Sequence, residues 1–191
     1  MTAYDPTVLP DDLPVPVDDG AATHLWDAPL PPFELAATDG SVVRLDRLPG
    51  RVVVYAYPRT GRPNEPHLVE DWDAIPGARG CTPESCAFRD HHQDLKQAGA
   101  SLVYGLSTQD TDYQRETAER LHLPFALLSD ADLEMTKALR LPTFEVAGQT
   151  LLKRFTLVVS EGRIEHVFYP VFPPDKHAEE VLGWLRGRTA A

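Results

Sequence analysis

A chain of 191 residues, 42% of them hydrophobic, is long enough to bury one sizeable core, and its length alone does not exclude two domains. Its 18 basic and 29 acidic residues leave a net charge of -11, which argues against nucleic acid and against an anionic membrane as main partners. The opening MTAYDPTVLPDD lacks the basic and apolar regions of a signal peptide, and no apolar run approaches membrane-spanning length. A reducing cytoplasm is therefore the expected location, and there a cysteine pair is more often catalytic or metal-binding than structural.

Up to Asp27 the chain has six aspartates, four prolines and no Lys or Arg, which predicts that residues 1–26 form an acidic, Pro-rich extended or mobile arm rather than core. A single globular domain is expected over residues 27–191. It begins with FELAATDGSVVRL, a hairpin around Asp39-Gly40, and RVVVYAY from Arg51 reads as a buried central strand. GCTPESCAFRDHHQDLKQAG reads as a loop entering an amphipathic helix. Strand SLVYGL, a helix around TDYQRETAERLH, strand FALLS and a helix around DLEMTKALR follow. LLKRFTLVV and RIEHVFY, separated by Ser160-Glu161-Gly162, form a second hairpin, and KHAEEVLGWLRG closes the chain as a helix. The pattern predicts an α/β fold with a mixed central sheet covered on both faces.

The only two cysteines, Cys81 and Cys86, lie five positions apart where the loop becomes helix. A thiol at a helix N-terminus faces unpaired N–H groups and the positive end of the macrodipole, both of which favour thiolate, so Cys81 reads as an activated nucleophile. Thr82 suits the N-cap, Pro83 the first helical position and Gly99 the C-terminal cap. On an ideal helix, residues five apart have Cα atoms about 8.7 Å from each other, whereas a disulfide tolerates roughly 7 Å at most. A Cys81–Cys86 bond therefore requires the first turn to unwind.

Three other readings compete for the pair. A thioredoxin-type reductase needs C-x-x-C, which is absent. A zinc site would draw on His91 or His92, but helical positions five apart point about 140° from each other and do not converge. A redox-sensing binding protein would use the same cysteines as a switch. No P-loop, dinucleotide fingerprint or nucleophile elbow is present. Asp110 reads as a helix cap, and His122, His166 and His177 have no companions at ligand spacing.

RVVVYAYP, GCTPESCAFRD, GLSTQD, LPFALLSD and LLKRFTLVVSEGRIEHVFY together resemble a peroxiredoxin of the Q or bacterioferritin-comigratory-protein subgroup, over about residues 27 to 187. The resemblance implies a thioredoxin-like fold and a thiol peroxidase without metal or organic cofactor. It implies Cys81 as the peroxidatic residue, Cys86 as the resolving one, and thioredoxin or a similar dithiol protein as electron donor. Arg154, taken as mid-strand, would lie against the Cys81 thiolate, and Glu84 would orient it through a bidentate pair. Lys153 reads as solvent-facing, and Arg89 with Asp90 as a helix-surface pair. Because both cysteines lie in one helix, a monomer suffices for resolution.

The chain departs from the family pattern before Cys81. A proline is usual seven residues earlier and a threonine or serine three earlier, where Ala74 and Ala78 stand. Pro58 is expected to take the proline's place, with the loop 59–79 and its three prolines inserted as a lid or docking surface. Trp72 would anchor that loop and Arg79 would add positive potential. The missing hydroxyl falls to Thr60, if the loop folds back, or to Thr82.

Overall fold

The computed structural model describes residues 5–189. In chain order the strands are β1 (Leu35–Ala37), β2 (Val42–Val43), β3 (Arg51–Ala56), β4 (Ala100–Ser107), β5 (Leu127–Ser129), β6 (Thr143–Val146), β7 (Gln149–Leu152), β8 (Phe155–Ser160) and β9 (Arg163–Phe168). The helices are α1 (Cys81–Asp90), α2 (His92–Gln97), α3 (Thr111–Arg120), α4 (Glu134–Leu139) and α5 (His177–Thr189). Seven strands form one mixed sheet in the order β2-β1-β5-β4-β3-β8-β9, and β6-β7 form a separate two-stranded sheet.

The β-branched and aromatic run of β3 makes it the natural centre of that sheet, parallel to β4 and antiparallel to β8. Side chains alternate across it. Val52, Val54 and Ala56 enter a core shared with Leu128, Met135 and Leu157, while Val53, Tyr55 and Tyr57 meet Phe88, Leu95 and Leu185 on the other face. The sheet is thus covered on both sides, as the order of strands and helices in the sequence predicts. Gly105 on β4 leaves room for this packing, since a Cβ there would lie 2.9 Å from the Tyr55 ring. Tyr55 in turn stacks on Phe88 of α1, with centroids 4.3 Å apart, and donates its hydroxyl to Ser85 Oγ at 3.0 Å. These contacts fix the cysteine helix on the sheet.

Several expectations need correction. The helix from the cysteine loop is broken at His91, whose ψ of 6° separates α1 from α2. Gly80, at φ 105°, occupies the N-cap, so Thr82 lies inside the first turn. LLKRFTLVV is two strands. The chain passes from the small sheet to the large one at Lys153-Arg154, and Arg154 sits in the joint rather than mid-strand. The β6-β7 hairpin went unforeseen because Ala147-Gly148 carries its two positive-φ positions without the usual Asn-Gly or Asp-Gly signal.

The loop before Cys81 has a small core of its own. Trp72, in a single 3-10 turn (Trp72–Ala74), is buried with Ala78 and Leu151, flanked by Leu68, Val69, Ile75, Phe144 and Val146. Trp72 thereby clamps the insertion onto the β6-β7 hairpin. The described part of the acidic segment runs through loop and turns to a 3-10 turn (Thr23–Leu25), and its last part departs from the expectation that it stays outside the core. Ala22 and Leu25 are apolar side chains that reach the main cluster and are buried there. Residues 1–4 of that segment lie outside the described residues.

Candidate active site

Cys81 opens α1 directly after the left-handed Gly80, and its thiol is only 2% exposed. Arg154 Nη2 donates to its Sγ at 3.2 Å, and Sγ itself reaches the Ala78 carbonyl at 3.6 Å. The guanidinium is fixed from several directions. Nη1 pairs with Glu84 Oε2, while Nη2 also donates to the carbonyls of Gly77 at 3.2 Å and Arg79 at 3.1 Å. Arg154 and Glu84 are both inaccessible to solvent, so each charge depends on the other. The pair is not the bidentate one expected, because Glu84 Oε1 has no hydrogen-bond partner.

Burial pushes the Cys81 thiol above its ordinary range, against the expectation drawn from the helix start alone. Arg154 opposes that shift most strongly, and the backbone N–H of Arg59 also lowers it. Glu84 is likewise raised by burial, with Arg154 and then His177 pulling it back. Burial works against the Arg154 charge too, yet Glu84 and Cys81 leave it more firmly protonated than usual.

Cys86 is half-buried on the same helix and is a free thiol, as is Cys81. Burial raises it as well, and Arg89 is the nearest compensating charge. The structure thus brings Cys81, Glu84 and Arg154 into contact, and leaves Cys86 one and a half turns along α1.

The hydroxyl candidates separate clearly. Thr60 is fully buried but turned toward α3: its Oγ1 donates to Gln109 Oε1 at 3.1 Å and meets Thr117 Oγ1 at the same distance. Thr82 is buried beside Cys81, and its Oγ1 has no hydrogen-bond partner. Arg79, expected to add positive potential, is engaged by the N-terminal segment and the insertion. It donates to the carbonyls of Asp5 and Val8 and lies 3.5 Å from Asp73. Asp110 caps α3 by accepting from the N–H of Tyr113 at 2.7 Å.

Some contributors were invisible in the sequence. The Gly77 and Arg79 carbonyls and the Arg59 N–H are backbone groups, which every residue carries and no motif announces. His177 is almost fully buried, with Nε2 2.7 Å from Thr156 Oγ1 and Nδ1 2.9 Å from Glu180. Its signal was Glu180 three residues later at the start of the last helix. Among the described residues no three His, Cys, Asp or Glu side chains group as a metal site.

The Redoxin family model matches residues 27–182. Peroxiredoxin Bcp of Escherichia coli is 33% identical over 166 residues, covering 82% of this chain and 92% of that protein. The chloroplastic peroxiredoxin Q of Sedum lineare is 35% identical over 158 residues, covering 82% of this chain and 75% of the longer plant protein. Among solved structures, peroxidoxin BcpB of Mycobacterium tuberculosis superimposes with a TM-score of 0.66 at 26% identity, covering 85% of this chain and 96% of that one. The buried thiol with its arginine and these likenesses agree: the chain belongs to the Redoxin family, among the thiol-dependent peroxidases of the peroxiredoxin Q and Bcp kind.

Proposed function

We propose that the protein reduces hydrogen peroxide and organic hydroperoxides at Cys81, resolves the product through an intramolecular disulfide with Cys86, and is recycled by thioredoxin or a similar dithiol protein. The observation that carries this reading is the Arg154 guanidinium, held between Glu84 and the Cys81 sulfur in a solvent-free site. The Cys81 thiolate attacks the terminal peroxide oxygen. An S–O bond forms, the O–O bond breaks, and the departing oxygen takes a proton to leave as water or alcohol. Arg154 and the Arg59 N–H favour the thiolate and offset the negative charge that moves onto the leaving oxygen. With Ala78 lacking a hydroxyl and Thr60 committed to Gln109, Thr82 supplies the remaining side-chain donor for the peroxide.

The Cys86 sulfur then attacks the Cys81 sulfenic acid, forming the S–S bond with release of water, and an external dithiol reduces that bond by exchange. All electrons come from thiols, and a monomer suffices because both cysteines belong to one helix. Among the described residues no helix is long and apolar enough to cross a membrane.

The test is peroxide consumption coupled to thioredoxin and its reductase. Sustained turnover that Cys81→Ser abolishes supports the enzyme, whereas a single stoichiometric oxidation identifies a sensor. Cys86→Ser is expected to consume about one equivalent of peroxide and to accumulate oxidised Cys81 by mass spectrometry. Full turnover by that variant would remove Cys86 from the cycle.

A further inference from the structure

We infer that the acidic N-terminal arm is a removable cover over the Cys81 thiol, with Arg79 as its latch. The arm lies outside the segment matched by the family model, which begins at residue 27. Pro6 is buried against the body. Leu9 packs on Gly80, the residue before Cys81: a Cβ on that glycine would lie 3.0 Å from Leu9 Cδ2 and 2.4 Å from Pro174. Arg79 Nη2 holds the same stretch by donating to the carbonyls of Val8 at 2.7 Å and Asp5 at 3.0 Å. The backbone of Arg79 meanwhile accepts from Arg154, so one residue joins the cover to the guanidinium beside the sulfur.

With the arm docked, little space remains where Leu13 and Pro14 meet Arg79 and Arg154. The cleft at this seam, lined by Leu13, Pro14, Arg79, Arg154, Phe172 and Pro174, holds about 10 Å³. That volume suits a single water, and a peroxide has two oxygens to place. Release of the arm would open this seam beside Arg79 and Arg154.

The hold is also shallow. Val8, Val15 and Val17 remain exposed when the arm is docked, and the ties of Asp19 to Lys153 and Tyr169 lie at the solvent surface. Segments with so few buried contacts open locally without global unfolding. Opening would restore water to a thiol that burial holds above its ordinary range, leaving Arg154 and the Arg59 N–H as its charge-stabilising neighbours.

The test reads thiol access with iodoacetamide, so it is independent of the peroxidase reading. In a Cys86→Ser background Cys81 is the only thiol. Deleting residues 1–13 is expected to raise the Cys81 alkylation rate about tenfold or more and to shift its thiol titration downward, with the folded circular-dichroism signal retained. Arg79→Met and Leu9→Ser, each in the full-length chain, are expected to raise the rate several-fold without any truncation. An unchanged rate in Leu9→Ser or in the folded truncation overturns the cover. An unchanged rate in Arg79→Met overturns Arg79 as its latch.

Discussion

Arg154 and Glu84 are buried together in a place where either charge alone would be costly, and this changes how the arginine can be tested. Arg154→Met leaves the Glu84 carboxylate without its partner, a loss of about 3–5 kcal/mol against a total stability of about 5–15 kcal/mol. The single variant is therefore expected to melt at a lower temperature as well as to react slowly. Arg154→Met with Glu84→Gln removes both charges and separates the two effects. Its thermal midpoint should recover most of the loss, while stopped-flow peroxide oxidation stays slower than wild type by about a hundredfold, or about 2.7 kcal/mol. The Cys81 thiol should titrate higher in this variant, because the strongest influence opposing burial has gone. Recovery of both stability and rate would mean that the guanidinium serves only the fold.

The two threonines make an opposite pair. Thr60→Val is expected to cost about 1–3 kcal/mol in denaturant unfolding, because Gln109 and Thr117 lose a buried partner, and to leave peroxide attack unchanged. Thr82→Val is expected to slow attack about tenfold with little change in unfolding, since its hydroxyl bonds nothing in the folded protein. Thr82→Ser should restore the rate. The sequence named Cys81 from its place at a helix start, whereas the roles of Arg154 and Glu84 came from the family resemblance. It could not choose between the threonines, since that choice depends on which way residues 58–60 turn after the central strand.

At the scale of elements, α1 carries both cysteines and the contacts that resist their meeting. Phe88 stacks on Tyr55 and Ser85 accepts from the same ring's hydroxyl, so the helix is pinned to the sheet just beyond the turn that must unwind for a disulfide. Amide exchange between Thr82 and Phe88 is expected to rise on oxidation, as the roughly 8.7 Å Cα separation of an intact helix contracts toward disulfide range. Equal protection in reduced and oxidised protein would place the bond between chains or exclude it. The break at His91 confines that loosening to α1, so exchange in α2 should stay constant. Most of these elements were legible from their period. β3 was read from its uninterrupted Val-Tyr run and α3 from its Asp110 cap, whereas β6 and β7 escaped notice because their turn lacks Asn or Asp and because the joint at Arg154 is invisible in a continuous apolar stretch.

In the whole molecule three layers meet around residues 78–81: the family fold, the insertion with its Trp72 core, and the arm. Asp19 ties the arm to Lys153 and to the Tyr169 hydroxyl, and these bonds hold its carboxyl well below the usual carboxylate range. A depressed folded pKa stabilises docking above the unfolded value of about 4 and loses that contribution as pH falls. Protection factors in residues 14–20, with exchange corrected for its own pH dependence, should accordingly fall as the pH is lowered from 5 toward 3, earlier than in the main sheet, and Asp19→Asn should show the lowered protection already at neutral pH. Protection factors independent of pH in that segment would assign the docking to its apolar contacts alone.

The small core around Trp72 bears on how this chain can be redesigned from its relatives. Ala78 occupies the position where the family resemblance calls for a hydroxyl, and a consensus replacement would write threonine there. In this protein that side chain is fully enclosed with Trp72 and Leu151, so the substitution would bring a larger, polar group into a filled apolar space. The position where the resemblance calls for a hydroxyl packs into the insertion's small core instead. Family averages are therefore a poor guide between residues 59 and 80, and an improved variant would have to be designed from the packing found there.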